Sequence, residues 1–118
     1  MNKKTVQFLN TRTNQIIASK VTIADTFLSR LIGLLNKKEL PDNTGLWIIP
    51  CNSIHTFGLK FNIDVIFLNK DNVIVYLIEN MDKNKMSPII FPAHSVLEVV
   101  PGSIKDSGTA TGHKIAVL

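Results

Sequence analysis

The stretch CNSIHTFGLKFNID gathers the only Cys of the chain, one of its three His and an Asp. A thiol or hydroxyl beside an imidazole, with a carboxylate to orient the ring, is the arrangement that activates a nucleophile. Cys51 or Ser53 would be the nucleophile, His55 the base, and Asp64 the group that fixes the tautomer of His55. These residues predict a hydrolase-type enzyme, which is one of two hypotheses for the function.

The position of Asp64 has a structural explanation as well. It lies in the run Ile63–Leu68, in which the other residues on both faces are apolar. This pattern predicts a central strand, where an ionised carboxylate must be paired or hydrogen-bonded. Asp64 therefore either binds backbone N–H groups of the preceding loop, or orients His55 or a ligand.

The second hypothesis is a binding module with a polar pocket. Glu98 interrupts the apolar run SVLEVV, so it faces solvent or, on an internal face, needs a cation such as Arg30, Lys60 or protonated His55. Polar groups beside apolar strands, with Trp47 or Phe57 as an apolar wall, would hold a small polar molecule or a peptide end. The predicted ligand-binding residues are Arg30, Ser53, His55, Thr56, Asp64 and Glu98.

Binding is favoured over catalysis. A free Cys is usually a small buried apolar residue, and nothing in the sequence near Cys51 predicts an activated thiolate. No oxyanion-hole glycine motif or phosphate-binding loop is present, so we expect no nucleotide cofactor. One Cys and one His four residues apart, with a single distant Asp, form a weak metal motif, and we predict no metal.

Composition limits the classes of partner. The formal net charge of +4 is scattered along the chain and aromatic residues make up only 7%, which disfavours nucleic-acid binding. A single Cys excludes an intrachain disulfide and favours a reducing compartment. With no signal-peptide core and no apolar run of about 20 residues, we expect a cytoplasmic protein without a membrane segment.

The elements that position these residues are mostly short strands. The 118 residues suit one domain, residues 1–118, and Pro, Gly and Asn punctuate alternating apolar runs. The predicted strands include Val6–Phe8 and Val21–Ile23, joined as a hairpin, then Leu46–Ile49, Ile63–Leu68, Val73–Ile78, an edge strand Ile89–Phe91, Ser95–Val100 and Lys114–Leu118. They predict a mainly β fold, a compact β sandwich or barrel.

One short helix is predicted between the second and third strands. Asp25 or Thr26 can cap it, Gly33 lowers its helix propensity, and Asn36 or the pair Lys37-Lys38 is expected to end it. A turn with one helical turn is expected near Pro101. The helix carries an apolar stripe formed by Phe27, Leu28, Leu31, Leu34 and Leu35.

Three segments, SRLIGLL, GLWIIPCNSIHTFGLKFNIDVIFL and AHSVLEVVPG, resemble the "domain of unknown function 192" family of small bacterial and archaeal proteins. The likeness runs from about Asp25 to the end, and the chain departs from the family pattern at Leu59, Asn62 and Gly112-His113. The resemblance implies a mostly β, barrel or jelly-roll fold with a short helix, and it implies no activity. The matching positions are Arg30, Gly33-Leu34, His55-Thr56, Gly58, Phe61, Ile63-Asp64, Phe67-Leu68, Leu97-Glu98 and Gly102.

Overall fold

The computed structural model describes residues 4–118 and confirms a mainly β fold. Seven strands form one curled sheet, a half-barrel, with the strand order β5-β4-β6-β3-β2-β1-β7. Within these residues no helix is long and apolar enough to cross a membrane. The elements are β1 Thr5–Asn10, β2 Gln15–Ala24, α1 Phe27–Ile32, β3 Thr44–Ile48, β4 Ile63–Leu68, β5 Ile74–Met81, β6 Ser95–Val99, α2 Ser103–Asp106 and β7 Ile115–Val117.

The centre of the sheet is formed by β4 and β6, whose residues are all buried. Because side chains alternate along a strand, each of these strands contributes to two apolar clusters, one on each face of the sheet. Ile66, Leu97 and Val99 belong to one cluster, together with Phe8 of β1. Val65, Phe67 and Val96 belong to the other cluster, against which the loop between β3 and β4 packs.

Helix α1 is short because its sequence defines both ends. The hydroxyl of Thr26 accepts a hydrogen bond from Ser29 N at 3.1 Å, and Ser29 Oγ accepts one from Thr26 N at 3.0 Å. This capping box fixes the first turn. The helix ends at Gly33 and not at Asn36 or Lys37-Lys38 as predicted, because Gly33 has a φ of 52°, in the left-handed region that favours glycine.

The predicted apolar stripe of α1 is mostly solvent-exposed. Phe27, Leu28 and Leu31 are 76%, 62% and 63% exposed, whereas Leu34, which follows the helix end, is only 4% exposed. The chain turns at Gly33, so the second half of the stripe no longer shares a helical face with the first half. The side chain that anchors this segment to the core is therefore Leu34.

The prediction of an edge strand at Ile89–Phe91 is wrong, since this segment forms no strand. Pro88 and Pro92 flank it and have no N–H groups to donate to a sheet. Instead, Ile90 N donates to the carbonyl of Asn52 at 2.8 Å, so the segment supports the loop before β4. Helix α2 occupies the segment in which one helical turn was predicted.

Candidate functional site

A pocket of about 180 Å³ lies between α1, the loop after β3, and β6. We call it the Glu98 pocket. Arg30, Cys51, Ser53, His55 and Glu98 supply its polar side chains. Apolar side chains form most of the remaining wall, among them Leu34, Ile48, Ile54 and Leu59.

The loop between β3 and β4 is held over the sheet by hydrogen bonds with distant segments. Cys51 N donates to the carbonyl of His94 at 2.9 Å, and Ile54 N donates to Ser87 Oγ at 2.9 Å. Because Cys51 and Ile54 themselves line the pocket, these two bonds also fix the positions of Ser53 and His55 beside it. These contacts explain why residues so far apart in the sequence line one cavity.

Thr56 is a further anchor of this loop and does not line the pocket. Its side chain is fully buried, with the hydroxyl donating to the carbonyl of Asp82 at 2.6 Å. The same oxygen accepts a hydrogen bond from Lys85 N at 2.9 Å. The hydroxyl of Thr56 is therefore already used to join the loop to the turn after β5.

Glu98 is the buried acid of the pocket. It is 4% exposed, and burial raises the pKa of its carboxyl to about 8. Desolvation causes this shift, and within residues 4–118 no hydrogen bond to the carboxyl is found. Glu98 is therefore mostly protonated at neutral pH, and it lines the cavity.

The thiol of Cys51 is half-buried and donates to the carbonyl of Ser53 at 3.1 Å. Desolvation raises its pKa most, and the nearby Glu98 raises it further, while the Ser53 hydrogen bond and Arg30 oppose the change. A protonated thiol that is bonded to a carbonyl is a poor nucleophile. The hydrolase hypothesis requires His55 to contact this thiol, and within residues 4–118 the hydrogen bond of the thiol goes to Ser53 instead.

His55 lies at the exposed edge of the pocket. Its ring stacks on Phe57, with the ring centroids 5.2 Å apart and the planes at 23°. The stacking orients the imidazole without a carboxylate. His55 is therefore available to solvent and to a ligand at the pocket rim.

Asp64 is fully buried and binds three backbone N–H groups. Its Oδ1 accepts from Asn80 N at 2.8 Å, and its Oδ2 accepts from Gly102 N at 3.1 Å and Ile104 N at 3.0 Å. This is the structural role considered from the sequence, although the donors belong to β5 and the start of α2 and not to the preceding loop. The carboxylate of Asp64 joins these two segments.

The sheet separates Asp64 from the pocket. In the pairing of β4 with β6, Asp64 is opposite Val99 and Val65 is opposite Glu98. Residues that pair directly point to the same face, so Asp64 and Glu98 point to opposite faces. The structure thus brings Arg30, Cys51, Ser53, His55 and Glu98 to one cavity and leaves Thr56 and Asp64 outside it.

Neither Trp47 nor Phe57, the apolar wall expected from the sequence, lines this pocket, and the apolar residues that do line it were not predicted. Leu46 pairs with Glu98 across β3 and β6, and Ile48 lies two residues further along the same face of β3. The alternating side chains of β3 show that Leu46 and Ile48 share a face. Only the pairing of β3 with β6 shows that Glu98 is on that same face. Across residues 4–118, no group of three or more His, Cys, Asp or Glu is placed to hold a metal ion.

Comparison with solved structures shows a shared fold. A crystal structure of a protein of unknown function from Novosphingobium aromaticivorans DSM 12444 is 21% identical, with a TM-score of 0.81, covering 97% of this chain and 84% of that one. A Sinorhizobium meliloti 1021 structure, described as "a putative transcription regulator", is 19% identical, with a TM-score of 0.84 and coverages of 98% and 94%. At these identities the likeness shows the fold alone.

Sequence comparison gives the family. No curated protein shows significant similarity to the chain. The family model of DUF192, whose description is "Uncharacterized ACR, COG1430", matches residues 8–117. This match covers both the segments that form the Glu98 pocket and those that surround Asp64, and the chain therefore belongs to the DUF192 family.

Proposed function

We propose that the protein is a binding module that holds a small polar ligand, or the end of a peptide, in the Glu98 pocket. The observation that carries this proposal is the buried carboxyl of Glu98, which has no partner among the described residues and lines a cavity. Burying such a group unpaired lowers stability unless something else supplies its hydrogen bonds. A bound ligand would supply them.

The lining of the pocket supports selective binding. Arg30 brings a permanent positive charge, Ser53 and His55 add polar groups, and Leu34 and Ile54 form an apolar wall. Few polar groups set in an apolar wall are typical of ligand sites. The volume of about 180 Å³ is below the ~300 Å³ at which drug-sized pockets begin, so the ligand is small.

The hydrolase-type alternative, with Cys51 or Ser53 as the nucleophile, needs an Asp64–His55 contact that this geometry does not support. Its carboxylate, Asp64, is engaged by three backbone N–H groups on the other face of the sheet. Its thiol, that of Cys51, donates to a carbonyl and has a raised pKa. Ligand binding requires neither an activated thiol nor an Asp64–His55 contact.

A ligand screen with matched variants tests the proposal. We would screen small polar compounds and short peptides for a rise in melting temperature and measure the affinity of each hit by calorimetry. Glu98→Gln and Arg30→Gln alter the pocket, whereas Glu79→Gln and Arg12→Gln make the same chemical changes at exposed positions. We expect hits to bind the wild type and the two control variants and to lose at least tenfold in affinity for Glu98→Gln.

Amide chemical shifts provide an independent localisation of the ligand. A hit in the Glu98 pocket should shift the amide resonances of Leu34, Ser53 and Ile54 more than those of β1 and β7. Hits that bind Glu98→Gln as tightly as wild type, and that shift amides elsewhere, would refute the proposed site. A screen in which no compound binds would contradict the proposed function itself.

A further inference from the structure

We infer that the Glu98 pocket takes a small zwitterion, with an ammonium group at Glu98 and a carboxylate at Arg30. This inference rests on the proposed function and names its class of ligand. The two charged side chains lie at different depths: Glu98 is 4% exposed in the centre of the sheet, and Arg30 is half-buried on α1. The order of charges along the ligand follows from that arrangement.

At the inner end of the pocket, no described residue donates a hydrogen bond to the carboxyl of Glu98. The thiol of Cys51, which lies close enough to Glu98 for their charges to interact, already donates to the carbonyl of Ser53. No group of residues 4–118 donates to the carboxyl of Glu98. An ammonium group has three donors and no acceptor, and its charge would neutralise an ionised Glu98 where water is scarce.

Glu98 must lose its proton to bind the ammonium as an ion pair, and at neutral pH this lowers the affinity only slightly. With a pKa of about 8, deprotonation at pH 7 lowers the affinity about tenfold. A charge-assisted hydrogen bond to a carboxylate is roughly twice as strong as a neutral one, and several can form to one ammonium group. The hydrogen bonds of the ion pair therefore offset the tenfold loss of affinity that deprotonation of Glu98 causes.

The positive charge of Arg30 at the outer end of the pocket favours a ligand with a negative group there. A ligand with an ammonium alone would bring a second positive charge near Arg30, and the two would repel. A carboxylate at the other end of the ligand removes this repulsion and can accept two parallel hydrogen bonds from the guanidinium. The wall between the two ends includes Leu34, Ile54 and Leu59, which suits methylene groups.

The probes are a homologous series of amino acids in which the amine and the acid are at opposite ends of the chain. Glycine, β-alanine, 4-aminobutyrate, 5-aminopentanoate and 6-aminohexanoate vary the distance between the charges, and butylamine and butyrate each carry one charge only. Calorimetry would give the affinity of each probe for wild type, Glu98→Gln and Arg30→Gln, with Glu79→Gln and Arg12→Gln as controls. Because Arg30 is on a half-exposed helix position, its variant should fold even if Glu98→Gln does not.

We expect one chain length to bind best, with at least a tenfold loss in both pocket variants and none in the controls. Its affinity should rise roughly ten- to fiftyfold from pH 6 to pH 8, as Glu98 loses its proton. The other charged or titratable groups of the lining are Arg30, Cys51 and His55. Glu98→Gln retains them, so the pH dependence should disappear in that variant.

Three results would overturn the inference without touching the proposed function. Tighter binding of butyrate than of any zwitterion, strongest at pH 6, would mean that protonated Glu98 donates to an acid. Failure of the whole series, while the broader screen yields an uncharged ligand for the same pocket, would mean that the ligand carries no ammonium. Equal binding of butylamine and the best zwitterion would remove Arg30 from the site.

Discussion

Asp64 and Glu98 are on paired central strands one register position apart, and they point to opposite faces of the sheet. The carboxylate of Asp64 binds three backbone N–H groups, whereas that of Glu98 has no hydrogen-bond donor among residues 4–118. Both side chains are almost completely buried. Asp64 therefore joins segments of the fold. Glu98 lines a cavity and forms no hydrogen bond with the described residues through its carboxyl.

The role of Asp64 predicts a large loss of stability without a loss of binding. Asp64→Asn replaces an acceptor oxygen by an amide NH₂ that faces backbone N–H groups, so the free energy of unfolding should fall by about 2–4 kcal/mol. Urea denaturation measures this change. Asp71→Asn, in the exposed turn between β4 and β5, should change it by less than about 0.5 kcal/mol. A stable Asp64→Asn variant that no longer binds ligand would contradict the assignment.

The burial of Glu98 predicts that stability falls as the pH rises. In the unfolded chain the carboxyl ionises near pH 4.5, but in the folded protein it keeps its proton to about pH 8. Between these values the folded state binds more protons, so the free energy of unfolding decreases, by a total on the order of 4 kcal/mol. Urea denaturation from pH 4 to pH 9 would measure this decline.

Glu98→Gln should abolish that part of the pH dependence, because a neutral amide does not titrate. The matched variant Glu79→Gln, on the exposed part of β5, should keep the wild-type slope. The stability advantage of Glu98→Gln over wild type should therefore grow with pH. Parallel stability curves for wild type and Glu98→Gln would show that Glu98 ionises normally.

The environment of Cys51 predicts that its thiol is alkylated slowly in the folded protein. Burial raises the pKa of Cys51 and keeps the thiol protonated, so iodoacetamide at pH 7.5 should alkylate the folded protein at least about tenfold more slowly than the protein unfolded in urea. Mass spectrometry follows the reaction. Cys51→Ala should also keep the ligand affinity within a few-fold. Rapid alkylation of the folded protein would restore Cys51 as a candidate nucleophile.

The turn at Gly33 predicts that alanine substitutions of two nearby leucines lower the free energy of unfolding by different amounts. Leu34→Ala should lower the free energy of unfolding by about 2–5 kcal/mol, because its side chain is 4% exposed. Leu31→Ala should change it by less than about 0.5 kcal/mol, because its side chain is 63% exposed. Chemical denaturation of both variants checks this pair. Similar losses in the two would mean that α1 packs its exposed face against the protein.

The sequence alone predicted most of the local structure. Apolar runs interrupted by one acid located β4 and β6, the Thr26 cap located the start of α1, and turn residues separated the strands. These features depend on interactions between residues close in the chain, which is why their patterns can be read directly. The family match over residues 8–117 agrees with the resemblance found in the same segments.

The composition of the pocket was predicted only in part, for a physical reason. His55 and Asp64 are close in the sequence, and that proximity suggested a contact. Successive side chains of a strand point to opposite faces of the sheet. Only the pairing of β4 with β6 therefore decides that Asp64 points away from the cavity and Glu98 into it. The two acids cannot be distinguished by their apolar surroundings in the sequence.

The sequence by itself determined which residues carry the reactive groups and which short segments become strands, because local propensities and alternation act within a few residues. Only the tertiary structure decided which of those groups meet. Arg30 and Glu98 line one cavity although 68 positions separate them, since α1 and β6 come together only after β3 pairs with β6. Contacts between distant segments depend on strand order and register, which local patterns do not specify.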